Sequence, residues 1–384
     1  MTGSSLPSSP ERVLPPPGDL QAMRQYVRDF VAEELLRGGF TPQVDGWMGG
    51  FDRDFSRRAA AAGLVGMTIP VEYGGLGRTF LERFVVTEEL LAAGAPVAAH
   101  WFADRQIAPS LLRHGNEEQR RRILPGIAAG TTSFSIGMSE PESGSDLASV
   151  RTRGRRVEGG WLINGRKVWT SHAHRADLIL VLVRTTAGSE RHQGLSQVLI
   201  DLAAPGIQIS PIISMNGAHD FNEVVFEDVF VPDRDVVGAL GEGWRQVVSE
   251  LGFERSGPER FLSVQPVLEE AVAMIRSGQL TRPPELGRDL ARLMALHHAS
   301  TSVAEALTAG TAADELSTAV KLTGSSLEGD ILEHIAAVVD GSDPALGRLC
   351  ALLDAGLLAR AGFTLRGGTN EILRGIQARA LGLR

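Results

Sequence analysis

From Asp19 to about Ile127, apolar residues return every three or four positions, as in QAMRQYVRDFVAEELL (21–36) and RFVVTEELLAA (83–93). That is the period of a helix with one buried face. Glycine pairs at Gly38-Gly39, Gly49-Gly50 and Gly74-Gly75 divide the stretch into separate helices. Near Thr131 the period changes. GGWLINGRKVWT sets Asn164-Gly165 between two strand-like arms, a strong hairpin signal, and ADLILVLVRT, LSQVLIDL, GIQIS and NEVVFEDVFVP follow as short β-rich runs. After Gly241-Glu242-Gly243 the helical period returns and persists to the end of the chain. The pattern predicts an α+β multidomain protein: a lead-in over 1–18, an N-terminal α-helical domain over 19–131, a middle β-sheet domain over 132–239 and a C-terminal four-helix bundle over 240–384.

Composition narrows the class. A chain of 384 residues that is 43% hydrophobic can bury a sizeable core. One cysteine, Cys350, forms no intrachain disulfide, so a reducing cytoplasm fits. A formal charge of -8 argues against binding a phosphate backbone, which needs basic stripes, so no nucleic-acid partner is expected. The longest glycine-free apolar run, Leu178 to Val183, is far below the roughly 20 residues of a membrane helix. The Ser- and Pro-rich start lacks the apolar centre of a signal peptide and reads as disordered.

Common catalytic signatures are missing: no Walker loop, no G-x-S-x-G elbow, and only a fragment of a dinucleotide fingerprint at Gly75-Leu76-Gly77, which reads as a turn. His172 with His174, and His297 with His298, lack carboxylate or cysteine companions at ligand spacing, so no metal is expected. Two segments stand out. The loop Ser139-Glu140-Pro141-Glu142-Ser143-Gly144-Ser145-Asp146 is rich in hydroxyls and suits a planar polar ligand approached by backbone. Lys167-Val168-Trp169-Thr170-Ser171 ends a strand with an indole and two hydroxyls, which is ordinary packing unless the first loop lies beside it.

Together these segments, with IPVEYGGLG at 69–77, FNEVVFEDVFVP at 221–232, GEGW at 241–244 and GGTNEILRGIQARALGLR at 367–384, resemble the acyl-CoA dehydrogenase family in the family's own order. The resemblance implies that family's fold, FAD held between the β domain and the bundle, and an oligomer, dimer or tetramer, in which a neighbouring subunit completes the cofactor site. It implies FAD contacts from Ile136, Met138, Ser139, Trp169, Thr170, Ser171, Thr369 and Glu371, and acyl-CoA contacts from Ser145, Arg255 and Gly368. The implied reaction is α,β-dehydrogenation of an acyl-CoA thioester to the 2-enoyl-CoA, with electrons passed to an electron-transferring flavoprotein.

Such chemistry needs a carboxylate to take a weakly acidic α proton, and a buried glutamate with a raised pKa suits it. Many family members place that base immediately before the Gly-Thr of the C-terminal motif, where this chain has Gly367. A minority place it on the first helix of the bundle, followed by arginine, and Glu254-Arg255 in LGFERSGPER matches that arrangement. Glu259-Arg260, five residues on, shows how ordinary the dipeptide is. The resemblance therefore makes Glu254 the base.

Two departures bear on assembly. The family's Arg-x-Phe-Gly and Gln-x-x-Gly-Gly-x-Gly segments, which reach a neighbouring subunit's FAD, are replaced here by IRSGQLTRPPELGRD and VVDGSDPALGRLC. A hetero-oligomer like that of some bacterial steroid-degrading relatives is one alternative, with this chain as a partner lacking a complete site. An oxidase or monooxygenase on the same fold is another.

Overall fold

Asp19 opens the helical region: its side chain accepts from the Ala22 N–H and caps α1 (Leu20–Leu36). The computed structural model describes residues 13–186, 188–189 and 191–383, without the side chains of 250–254. Within the segment read as a disordered lead-in, residues 13–18 are in place. Pro15 O accepts from Arg78, and the Gly18 N–H donates to Glu82 Oε1.

Asp52 caps α2 (Arg53–Ala61), and Thr79 forms a reciprocal capping box with Glu82 at the start of α3 (Phe80–Ala92). α4 (Ala98–Phe102) and α5 (Ala108–His114) are joined by a π-helical segment, Ala103–Ile107, whose five residues are all buried. α6 (Glu117–Ala128) closes the region behind an Asn116 cap.

The middle region is one eight-stranded mixed sheet built from β1 (Phe134–Gly137), β2 (Arg153–Val157), β3 (Gly160–Ser171), β4 (Leu178–Arg184), β5 (Leu195–Asp201), β6 (Ile207–Ile212), β7 (Phe221–Pro232) and β8 (Val236–Val237). Its order is β6-β7-β3-β2-β4-β5-β8, with β1 added parallel to β4. The expected hairpin at Asn164-Gly165 does not form. β3 runs straight through those residues, and the turn falls upstream at Glu158-Gly159, where Gly159 takes φ +73°. Gly165 serves close approach: a Cβ there would lie 2.4 Å from Thr152 Oγ1 and 2.6 Å from Thr152 Cα. Asn164 meanwhile donates across to Asp228 and accepts its N–H, pinning a bulge between β3 and β7.

The C-terminal region holds α7 (Gly243–Arg255), α8 (Gln265–Arg276), α9 (Leu286–Thr308), α10 (Asp314–Ala336), α11 (Gly347–Leu365) and α12 (Asn370–Ala380). α8 to α11 form the expected four-helix bundle, with α7 and α12 laid against α10. A single apolar core runs from Met23, Phe55 and Leu124 in the first region into Leu327 and Phe363 of the bundle. A second fills the sheet around Ile163, Val181 and Phe226. No described helix is long and apolar enough to cross a membrane.

Candidate active site

The two segments singled out in the sequence lie side by side. Ser139 O accepts from the Val168 N–H at 2.9 Å, so the end of β1 is tied to the end of β3. Beneath them Lys167, fully buried, donates to Met138 O and to Glu140 Oε1, both at 2.9 Å. Glu140 accepts in addition from the N–H groups of Arg151 and Thr152 at 2.6 and 2.8 Å. Burial raises the Glu140 carboxyl, but Lys167 and these donors outweigh it and hold the group below its ordinary value. Burial pulls Lys167 down to about 8 against the attraction of Glu140.

Above this pair the β3–β7 register slips between Lys167 and Thr170, and Trp169 adopts φ +58°. A bulge with a left-handed residue re-aims a side chain, and it is costly for anything but glycine. Here it turns the indole outward, 59% exposed, edge-on to Phe221 at 5.7 Å. Thr170 is buried and its Oγ1 has no hydrogen-bond partner. Asn222 Nδ2 holds Thr170 O at 3.0 Å, and Ser135 Oγ holds Ser171 O at 2.5 Å. Ile136 and Met138 are half-buried on the β1 side. An orphaned hydroxyl beside an indole held open by backbone strain fits a planar, hydrogen-bonding ring system such as a flavin.

The second corner is the turn before α12. Gly367 and Gly368 take φ +70° and +89°. A Cβ on Gly367 would come within 2.8 Å of Arg260 Nη2, and one on Gly368 within 3.2 Å of Arg255 Nη2. Arg255, at the end of α7, donates its Nε–H to Gly367 O at 3.1 Å. Glu254 immediately precedes it on α7; its side chain lies outside the described residues. Arg366 anchors the turn from the other side through a two-pronged bond to Asp45, at 2.6 and 2.8 Å, with its guanidinium over Trp47. Thr369 Oγ1 accepts from the Ile372 N–H and caps α12. Glu371 is exposed and faces Arg374 at 3.8 Å, and Ser145 is exposed on its loop.

Sequence reasoning passed over the anchors. Lys167 and Glu140 sit inside the two quoted motifs, so their opposite charges were a usable signal. Asp45 and Arg366 carry no local mark. Glu259-Arg260, taken only as an ordinary dipeptide, is deeply buried, with Glu259 beside Arg105 at 3.3 Å.

A helical domain, a mixed sheet with a strained tryptophan near the end of one strand, and a C-terminal helical region whose first helix meets a glycine turn together define an acyl-CoA dehydrogenase type of scaffold. Residues 17–131 match the family model "Acyl-CoA dehydrogenase, N-terminal domain" and 135–229 match "Acyl-CoA dehydrogenase, middle domain". Acyl-CoA dehydrogenase IpdE1 of Mycobacterium tuberculosis is 41% identical over 62% of this chain, an alignment that spans 63% of the relative's own length. Acyl-CoA dehydrogenase FadE29 of the same organism is 33% identical over 83% of this chain and 84% of its own. The ChsE4-ChsE5 complex from Mycobacterium tuberculosis superposes with a TM-score of 0.81 at 27% identity, covering 97% of this chain and 99% of that one. The chain belongs to the acyl-CoA dehydrogenase family.

Proposed function

We propose that this chain, with FAD, dehydrogenates an acyl-CoA thioester across Cα and Cβ, and that Glu254 takes the α proton. The observation that carries the reading is the junction between α7 and the glycine turn, where Arg255 Nε donates to Gly367 O at 3.1 Å. The helix bearing Glu254 thereby ends against the very turn where other members carry their base, and where this chain has a residue that cannot serve as one. Bound FAD would accept the hydride and relay electrons to an electron-transferring flavoprotein.

In this reading Ile136, Met138, Ser139, Trp169, Thr170 and Ser171 hold the ring, and Thr369 and Glu371 close over the cofactor. Ser145, Arg255 and Gly368 contact the acyl-CoA, and a backbone N–H would meet charge developing on the thioester oxygen. The test is anaerobic mixing of the purified flavoprotein with acyl-CoA thioesters. Bleaching of the flavin by wild type and its loss in Glu254→Gln support the assignment. Equal bleaching in the variant would refute the base.

A second reading makes the chain one half of a hetero-oligomer. It is supported by the two segments that differ from the family pattern. In the loop between α10 and α11, Asp340 and Asp343 bond to the N–H groups of Ser342 and Ala345, at 2.9 and 2.8 Å. Two carboxylates there suit a neighbour's FAD phosphates poorly. The ChsE4-ChsE5 structure is itself described as a complex. Flavin content per subunit of the chain expressed alone decides the matter: a stable homo-oligomer with full flavin would remove this reading.

A further inference from the structure

Behind the α7–glycine-turn junction lies a small cavity of about 20 Å³, walled by Phe80 and Phe84 of α3, Arg105 of the π segment, Ser256 and Gly257 just past α7, and Ser300 of α9. Arg83 of α3 lines it too. The Arg83 side chain is buried, its Nη1 has no hydrogen-bond partner, and its guanidinium lies over the Phe80 ring at 4.9 Å. Burial and the neighbouring Arg105 pull it down to about 10, which leaves it charged at neutral pH.

The nearby carboxylates, Asp104 and Glu259, offset part of this charge, but neither is hydrogen-bonded to Arg83 Nη1. Asp104 Oδ1 accepts from the Gly66 N–H at 2.9 Å, and Glu259 lies between Arg105 and Arg260 at 3.3 and 3.6 Å. Gly257 has no room for a side chain, because a Cβ there would lie 2.2 Å from Arg105 Nη2 and 2.0 Å from Glu259 Oε2. A buried cation with a donor aimed at nothing is expensive, and a space of this size holds about one water-sized group. Ser256 follows Glu254 by two residues, within roughly 7 Å of chain. The cavity therefore borders the end of the helix that carries Glu254.

We propose that Arg83 marks the far end of the acyl pocket and selects an acyl-CoA whose acyl group carries a hydrogen-bond-accepting oxygen, as a ketone or a carboxylate. The inference rests on the dehydrogenase reading above. A hydrocarbon end would leave Arg83 unsatisfied, whereas an acceptor oxygen would replace the missing partner. A site built to bond a substrate oxygen rejects the analogue lacking it far more strongly than an apolar pocket rejects a missing methylene.

The experiment uses acyl-CoAs matched in chain length and ending in a methyl, a ketone or a carboxylate, with the flavin-loaded protein, together with its partner subunit where flavin loading requires one. Two quantities are read: kcat/KM for flavin reduction, and the rise in melting temperature on adding each thioester. The expected result is a preference of about 10- to 100-fold for an oxygenated end, the size of a charge-assisted hydrogen bond. That ratio should collapse in Arg83→Met and partly return in Arg83→Lys. The ketone and carboxylate arms identify which oxygen is taken. Equal rates for all three ends, or a preference unchanged in Arg83→Met, would mean that the cavity holds water only. If no acyl-CoA of any kind bleaches the flavin, the dehydrogenase reading fails and takes this one with it.

Discussion

At the β3 corner, the groups around Trp169 come from the middle region, mostly from two short stretches, 138–140 and 167–171, tied together by the Lys167–Glu140 pair and the Ser139–Val168 bond. The glycine turn is held by Arg255 and Arg260 from one region and by Asp45 from another, brought to Arg366 across 321 positions of chain. The first corner is a property of the sheet and its own loops. The second exists only once the N-terminal helices and the bundle have docked. Damage to the first should therefore register as lost stability and lost flavin, and damage to the second as lost turnover in a protein that still folds.

Glu254→Gln is the sharpest break. Flavin reduction by acyl-CoA should fall about 10²- to 10⁴-fold in stopped-flow traces while flavin content is retained. Loss of the flavin itself would erase the distinction between the corners. Next, Lys167→Met strands the Glu140 carboxylate in the interior, and denaturant titration should show about 3–5 kcal/mol of lost stability. A loss under about 1 kcal/mol would show that the pair does not organise the β3 corner. Gly165→Ala forces a Cβ against Thr152 and should cost about 1–3 kcal/mol by the same titration. A neutral outcome would mean that the bulge absorbs the clash.

The smallest effect concerns Glu328 of α10, which accepts from the Ser263 N–H at 2.7 Å beneath the second corner. Burial pushes its carboxyl from 4.5 up to about 7, although Arg366 pulls the other way. Between those values the folded state binds more protons than the unfolded one, so stability falls as pH rises through that window. Melting temperatures of wild type and Glu328→Gln should diverge from pH 5 to pH 8, the variant gaining relative to wild type at the higher value. Parallel curves would show that Glu328 titrates normally.

Much of the layout was legible. Helical periods before Thr131 and after Gly243, with β-rich runs between, correspond to α1–α6, β1–β8 and α7–α12. The hairpin failed for a definite reason: Asn-Gly between apolar arms reads as a turn, yet a strand also uses glycine where another backbone presses close, and period-two patterning cannot separate the two. The true turn at Glu158-Gly159 bore the same glycine signal a few residues earlier. In the site, Trp169 was visible through its motif, but its left-handed backbone was not. Asp45 and Arg366 were invisible because they lie 321 positions apart in sequence, and Arg83 because hydrophobic periodicity says nothing about which buried positions carry charge.

The π segment at Ala103–Ile107 sets three polar side chains in succession, Asp104, Arg105 and Gln106, into the interior. The helices on either side are enclosed as well, Ala98 to Phe102 before it and Ala108 to Leu111 after it, so every face of this stretch meets protein. Such a segment amounts to one inserted residue absorbed without breaking the helix. Removing a single codon there would return the segment to α-helical register and rotate Arg105 relative to everything downstream. In evolutionary terms, the charge that lines the small cavity would then be one deletion away from change.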